Sequence, residues 1–492
     1  MESAFIGRKD ELALLNQFWE SDKAALIVLY GRRRVGKTRL LTEWIQEHED
    51  SGLYWMAPAT SALDQLRSFS QALMDFSNPG APVPEDFTYS TWELALHQAS
   101  LVGQEQRMAL FIDEVTYLME VNNTIVGTLQ KAWDQWLSKS NLILALSGSQ
   151  LGLMQRQFLS YQAPLYGRAS AHLQLPPLPF GVTEQYFPNY SAAERVAIYA
   201  IWGGIPAYWE RLDSTLSVID NLQNQLRPAN AWMLDEPRTL LQDFITDPYN
   251  YVGLIRAISY GAHTLSDISD RSGLSGGPAS KYLSVLRDTG FVERRVPIME
   301  RSADSRRGRY FVTDPYLRFF YRFLAAFQSK LALGKMEQML RSIEQDLPQF
   351  IEGNTWQELC REWVLRASAH DELPVAIEKV GSEWKRTYAI DVVGVSYDDR
   401  SLVVGNCFWQ EEPADLDCLL DLVKRTASIV PDDDWSVYFI GFSAFGWTDE
   451  AHEEAETAVH LGRGRRKWHS AGIRLIDLAQ LDADLARWSE ET

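Results

Sequence analysis

An unbroken apolar run from Ala24 to Tyr30 leads directly into Gly31-Arg-Arg-Arg-Val-Gly-Lys-Thr38, and Leu40, Leu41, Trp44 and Ile45 follow at helical spacing. A segment apolar at every position suits a strand covered on both faces, as in a parallel sheet. The later four residues share one face of a helix. Between them lies G-x-x-x-x-G-K-[ST], and the strand before it and helix after it supply the context that this pattern requires. Gly31 and Gly36 let the loop curl so that backbone N–H groups converge on phosphate oxygens. The helix opened by Lys37 and Thr38 aims its positive end at the same point. Lys37 is expected to reach the β- and γ-phosphates and Thr38 to ligate Mg²⁺. Arg34 and Arg39 complete the expected nucleotide-binding set around the loop.

A strand ending in two carboxylates, Met108-Ala-Leu-Phe-Ile-Asp-Glu114, supplies what such a loop needs beside it. Asp113 would hold the metal shell and Glu114 would polarise an attacking water. Asn141 to Leu146 reads as another buried strand, ending in Ser147-Gly-Ser149. Either serine could sense the γ-phosphate or simply cap the next turn, and Ser149 is taken as the nucleotide contact. Arg168, in Pro164-Leu-Tyr-Gly-Arg168, is a candidate for stabilising phosphoryl charge, with a structural surface arginine as the alternative. Gly203-Gly-Ile-Pro-Ala207 interrupts a helical stretch. It is either a helix break or a rigid backbone set against the base, through Gly204 and Pro206.

A chain of 492 residues exceeds what one core holds. Four units are expected: an α/β core over 1–180, a helical lid over 181–246, a winged helix-turn-helix over 247–325, and a second α/β unit over 326–492. Net charge of −19 disfavours indiscriminate nucleic-acid binding but leaves room for a local basic patch. Cys360, Cys407 and Cys418 are too few and scattered for a disulfide framework or zinc site. No apolar segment approaches a membrane span and no signal region opens the chain, so a cytoplasmic protein with no membrane partner is expected.

In the third unit, Tyr251–Ser259, Thr264–Ser269 and Pro278–Arg287 have helix-turn-helix spacing, and Gly290–Pro297 with Arg309–Thr313 would form the wing. Arg287, Arg294, Arg295, Arg301, Arg306, Arg307 and Arg309 concentrate there, so this is the expected DNA-facing surface, unless the module serves only for packing. Strand-like runs follow at Pro374–Val380, Ala389–Val395, Leu402–Trp409, Trp435–Phe442 and Gly472–Ile476. Gly462-Arg-Gly-Arg-Arg-Lys467 is a second basic cluster, most simply a solvated loop.

Together, Phe5-Ile-Gly-Arg-Lys-Asp-Glu-Leu12, Tyr30–Thr38, Phe111–Glu114, Leu146–Ser149, Pro164–Arg168, Gly203–Ala207 and Gly308–Arg318 resemble the archaeal-type ATPases of the AAA+/STAND class. The resemblance implies a P-loop fold of the ASCE type, ATP and ADP as ligands with Mg²⁺, slow hydrolysis, and nucleotide-driven rearrangement or assembly with a protein partner or further copies. It also implies that the Gly204–Pro206 element meets the base. The C-terminal unit is similar to the PD-(D/E)xK nuclease-like domains that accompany such ATPases. Asp391 matches their first acid, but Asn406 stands where the second acid belongs and Phe408 where the lysine belongs; Gln357 or Glu358 occupies the helix position. An amide offsets no Mg²⁺ charge and a phenyl ring stabilises no anion. The expectation is an ATP-driven switch and ATPase whose nuclease-like domain is inactive. The alternatives are an ATP-regulated nuclease and a nucleotide-sensing transcription regulator.

Overall fold

The computed structural model describes residues 5–48, 51–227, 232–242, 248–461 and 468–491. Five parallel strands form the first sheet: β1 (Ala25–Tyr30), β2 (Gly52–Met56), β3 (Met108–Asp113), β4 (Leu142–Gly148) and β5 (Ala171–Gln174). Their order is β2-β3-β4-β1-β5. β1 therefore sits between β4 and β5, and the loop after Tyr30 opens beside the end of β3 across β4. Ala25, Ile27 and Leu29 pack with Leu40, Leu41 and Trp44 of the helix Lys37–Glu47. Leu26 and Val28 pack into the opposite layer with Phe69, Leu96 and Leu129. Burial on both faces is what makes these strands apolar at every position.

β5 has no such run, and its alternating exposure marks it as a sheet edge. The helices Ala192–Trp202, Pro206–Trp209, Val218–Gln225 and Trp232–Gln242 follow the sheet. Next come the helices Tyr249–Ser259, Leu265–Ser272 and Gly276–Asp288, then an antiparallel hairpin of β6 (Val292–Arg295) and β7 (Arg309–Val312).

A second sheet, ordered β12-β11-β10-β9-β8, closes the chain. It contains β8 (Lys379–Trp384), β9 (Ala389–Ser396), β10 (Ser401–Phe408), β11 (Trp435–Ser443) and β12 (Trp468–Asp477). β8, β9 and β10 meander antiparallel, while β10, β11 and β12 run parallel with helices between them. The strand expected at Pro374–Val380 begins only at Lys379. Ile377 precedes the ladder and instead packs its side chain over Gly394, whose missing Cβ would lie 3.1 Å from it. The Gly462–Lys467 run lies outside the described residues. No helix among the described residues is long and apolar enough to cross a membrane.

Candidate functional site

The loop between β1 and the helix Lys37–Glu47 is shaped by two glycines. A Cβ on Gly31 would lie 2.5 Å from the Leu175 carbonyl oxygen, so a side chain there would push the loop off β5. Gly36 caps the helix with φ +101°, a conformation costly for any residue with a Cβ. Lys37 is buried, and its Nζ donates to the Gly31 and Arg32 carbonyls at 3.1 and 3.2 Å. The ammonium thus lies folded over the loop, where an anion would give it stronger acceptors than neutral carbonyls.

The ends of β3 and β4 close the site from the other side. Thr38 Oγ1 donates to Asp113 Oδ2 at 2.6 Å, and Tyr54 Oη donates to the same oxygen at 2.9 Å. Asp113 Oδ1 accepts the Glu114 backbone N–H at 2.9 Å. Burial foremost, then the Asp113 charge, raises the Tyr54 phenol pKa, so it remains a neutral donor. Glu114 is left-handed at φ 50°, which turns its carboxylate off the strand line. Ser149 and Thr116 hydroxyls then hold Glu114 Oε2 at 2.9 and 3.3 Å. Ser149 thereby meets the site through Glu114.

These elements border a cavity of about 490 Å³. Gly36, Lys37, Thr38, Arg39 and Glu114 form its polar end; Phe5, Ile6, Leu178, Tyr186, Pro206 and Ala207 form its apolar end. The volume falls within the range of small-molecule sites. The donor set fits a magnesium-bound polyphosphate: Thr38 and Asp113 bring two hard oxygens together, and one carboxylate with a hydroxyl is what Mg²⁺ commonly takes from protein. Arg34 also lines the cavity, and its buried Nη1 has no hydrogen-bond partner among the described residues, a donor suited to an anionic ligand.

The expected residues do not all converge. Pro206 borders the cavity, but Gly204 turns away from it. Leu178 N–H donates to Gly204 O at 2.7 Å, and a Cβ on Gly204 would lie 1.9 Å from Leu178 O, so this glycine serves a backbone-on-backbone contact. Arg39 borders the cavity while paired with Glu43 at 3.4 Å. Arg168 is outside the lining residues and makes a two-pronged pair with Asp134 at 2.7 and 2.8 Å. Sequence reasoning missed Phe5, Ile6, Arg8, Tyr186 and Glu210 as lining residues. Arg8 left a signal in the Phe5–Arg8 segment: left-handed at φ 72°, it donates to Val35 O at 3.2 Å and ties the N-terminal segment to the loop. Tyr186 and Glu210 left none, because only the tertiary fold brings their helices over the loop.

Two of the arginines at the variable loop positions, Arg32 and Arg34, also reach the following modules, whereas Arg33 donates to Tyr117 Oη at 3.2 Å. Arg32 pairs with Asp314 Oδ2 at 2.8 Å and donates to Tyr208 Oη at 3.1 Å. Arg34 pairs with the buried Glu236 at 3.0 Å, and Tyr208 Oη donates to the other Glu236 oxygen at 2.6 Å. Burial works to lower the Arg32 pKa, but Asp314, Tyr208 and Glu236 outweigh it, so the guanidinium stays charged. Tyr208, Trp232 and Tyr316 pack against one another around this cluster. Asp314 also accepts Leu317 N–H at 3.0 Å, capping the helix Pro315–Phe319.

Most of the arginines expected to face DNA are bonded internally. Arg295 pairs with Glu293 and with Glu358 of the helix Gln357–Ala369. Arg307 pairs with Glu300 and Glu383 and donates to the Trp384 carbonyl at 2.8 Å. Arg309 lies over the Trp384 ring, and Arg294 donates to the Ala303 and Ser305 carbonyls. Arg295 and Arg307 thus meet Glu358 and Glu383 of the C-terminal unit, while Arg287, Arg301 and Arg306 are exposed.

In that unit Asp391 Oδ1 accepts from Gln357 Nε2 at 3.0 Å and Oδ2 accepts Cys407 N–H at 3.1 Å. This fixes the helix register: Gln357 faces Asp391, whereas Glu358 faces Arg318 and Arg295. Burial raises the Asp391 pKa. No group of three potential His, Cys, Asp or Glu metal ligands occurs among the described residues.

The parallel sheet with a phosphate loop and paired carboxylates resembles that of P-loop ATPases, and residues 5–212 match the family described as an ATPase domain predominantly from Archaea. Residues 320–419 match a second family, described as archaeal and bacterial proteins of unknown function. The chain is 27% identical over 436 residues to an uncharacterized protein of Methanocaldococcus jannaschii, covering 88% of this chain and 94% of that one. An uncharacterized ATP-binding protein of the same organism is 52% identical over 42 residues, 8% of this chain and 71% of that one. Among solved structures, the Walker-type ATPase of Pyrococcus abyssi aligns at 19% identity and TM-score 0.49, covering 65% of this chain and 96% of that one. The ORC2 protein of Aeropyrum pernix, in ADPNP–ADP complexes, aligns at 12% identity and TM-score 0.42, covering 70% and 98%.

Proposed function

We propose that the protein is an Mg²⁺-dependent ATPase in which nucleotide occupancy repositions the modules after the sheet. The observation that carries this reading is the pair of loop arginines. Arg32 and Arg34 sit between the phosphate-loop glycines yet reach Asp314 and Glu236, so moving the loop strains the contacts to the downstream helices. An incoming triphosphate offers Arg34 a competing anion and draws it from Glu236.

In this reading Lys37 and the loop amides hold the phosphates, while Ile6, Tyr186 and Pro206 bracket the base. Thr38 and Asp113 would hold Mg²⁺, which when bound neutralises phosphate charge. Glu114, fixed by Ser149 and Thr116, orients a water and accepts its proton. Arg168 could assist only by exchanging Asp134 for a phosphate.

We read residues 249–312 as a winged helix and the C-terminal sheet as a nuclease-like fold used for contacts. An Asp391 carboxylate engaged by an amide and a backbone N–H, with Asn406 and Phe408 on the adjoining strand β10, supports binding or scaffolding over cleavage. DNA or a protein partner is the proposed recipient of the conformational change. The test is Glu114→Gln, which should keep ATP affinity and lose about 10²-fold or more of hydrolysis. Wild-type turnover in that variant would overturn the assignment.

A further inference from the structure

Among the described residues, one arginine cluster gathers around a single ring without acidic partners. Arg256 ends the helix Tyr249–Ser259, Arg271 ends the helix Leu265–Ser272, and Arg322 follows the helix Pro315–Phe319. Their guanidinium carbons lie 6.0, 4.7 and 5.2 Å from the centre of one ring, Tyr260. Gly253, Arg256, Ala257, Tyr260, Arg271 and Ser272 line a concavity of about 470 Å³ there. Arg256 and Arg271 are exposed and Arg322 is half-buried.

Among the described residues none of the three pairs with a carboxylate, although acids outnumber bases by 66 to 47 in the chain. The nearest acids in sequence are engaged or turned to solvent: Asp267 accepts from Thr264, and Asp270 is exposed. By contrast, Arg295 and Arg307 of the hairpin are each matched to glutamates. Like charges gathered without counter-charge cost free energy unless an anion joins them. Contact with a ring also leaves the guanidinium edge N–H groups available; among the described residues Arg271 alone of the three uses one, on the Tyr260 carbonyl at 3.5 Å.

We propose that this Tyr260-centred face binds the sugar-phosphate backbone of duplex DNA, with Arg256, Arg271 and Arg322 contacting adjacent phosphates. The inference rests on the winged-helix reading of residues 249–312 and moves the contact from the hairpin arginines to the C-terminal turns of the first two helices. Such contacts carry no base specificity and should position the module on the duplex.

The test is anisotropy of a labelled random-sequence duplex with the full-length protein across a salt series of about 50 to 200 mM. Arg256→Gln/Arg271→Gln should weaken binding about tenfold or more and reduce the log–log salt slope by about 1.8. Arg256→Lys/Arg271→Lys should restore most of the slope, and Arg287→Gln should change little. Full binding by the double Gln variant, with loss in Arg287→Gln, overturns this site and leaves the DNA reading intact. No duplex binding by the wild type overturns both. Polyglutamate competing as well as duplex would make an acidic protein the occupant and would also overturn the proposal.

Discussion

Asp314→Asn isolates the connection between the phosphate loop and the downstream modules. Asparagine keeps the cap on Leu317 N–H, because Asn and Asp serve about equally as N-caps. It removes the charge facing Arg32 across 2.8 Å, where the two side chains are only 14% and 10% exposed. A hydrogen bond to a charged group contributes about 1.5–3 kcal/mol and a neutral one about 0.5–1.5 kcal/mol, so the loss should be about 1–2 kcal/mol. Tyr208 and the nearby Glu236 still attend Arg32, which keeps the effect below that of breaking an isolated buried pair. If ATP binding works against this pair, its loss should tighten ATP affinity by roughly 5- to 30-fold, at 1.4 kcal/mol per decade. Hydrogen exchange adds a local readout. Without nucleotide, the variant should show in the loop 31–36 and the helix 315–319 the faster exchange that wild type shows only with ATP. Unchanged ATP affinity together with unchanged nucleotide dependence of exchange would refute the coupling.

Two further outcomes test the packing that sets the site. Gly204→Ala places a methyl 1.9 Å from a backbone carbonyl and should cost about 3 kcal/mol in thermal or urea unfolding; a loss under about 1 kcal/mol would contradict the close contact. Glu358 is half-buried, and desolvation alone would raise its pKa, but Arg318 and Arg295 outweigh this and hold it down to about 2, against an ordinary 4.5. A depressed carboxyl stabilises the fold above its unfolded pKa and loses that contribution as pH falls through the folded one. Glu358→Gln should therefore cost about 2–3 kcal/mol near neutral pH, with the gap to wild type closing as pH falls from 4.5 toward 2; a gap independent of pH would refute the pairing.

The elements dictated by local chemistry were legible in the sequence. β1, β3 and β4 are apolar throughout because both faces are covered, and the glycine spacing of Gly31 and Gly36 marks the loop between β1 and its helix. β5 was not legible, since an edge strand exposing alternate residues lacks that pattern. The arginines were the hardest to read. A run of positive charge in sequence looks the same whether it faces solvent or glutamates distant in the chain, and Arg295 meets Glu358 only through the tertiary fold. Gly204 misled for a related reason: a Gly-x-Pro segment suits a ligand contact or a close backbone approach, and here the glycine does the second while Pro206 borders the cavity.

Calorimetric titration of ATP with Mg²⁺ into the wild type and Lys37→Ala tests the central claim most directly. The cavity between the β1 loop and Glu114 should bind ATP in the wild type, and the variant should lose at least about 100-fold in affinity, about 2.7 kcal/mol. Equal binding by both proteins would contradict the account.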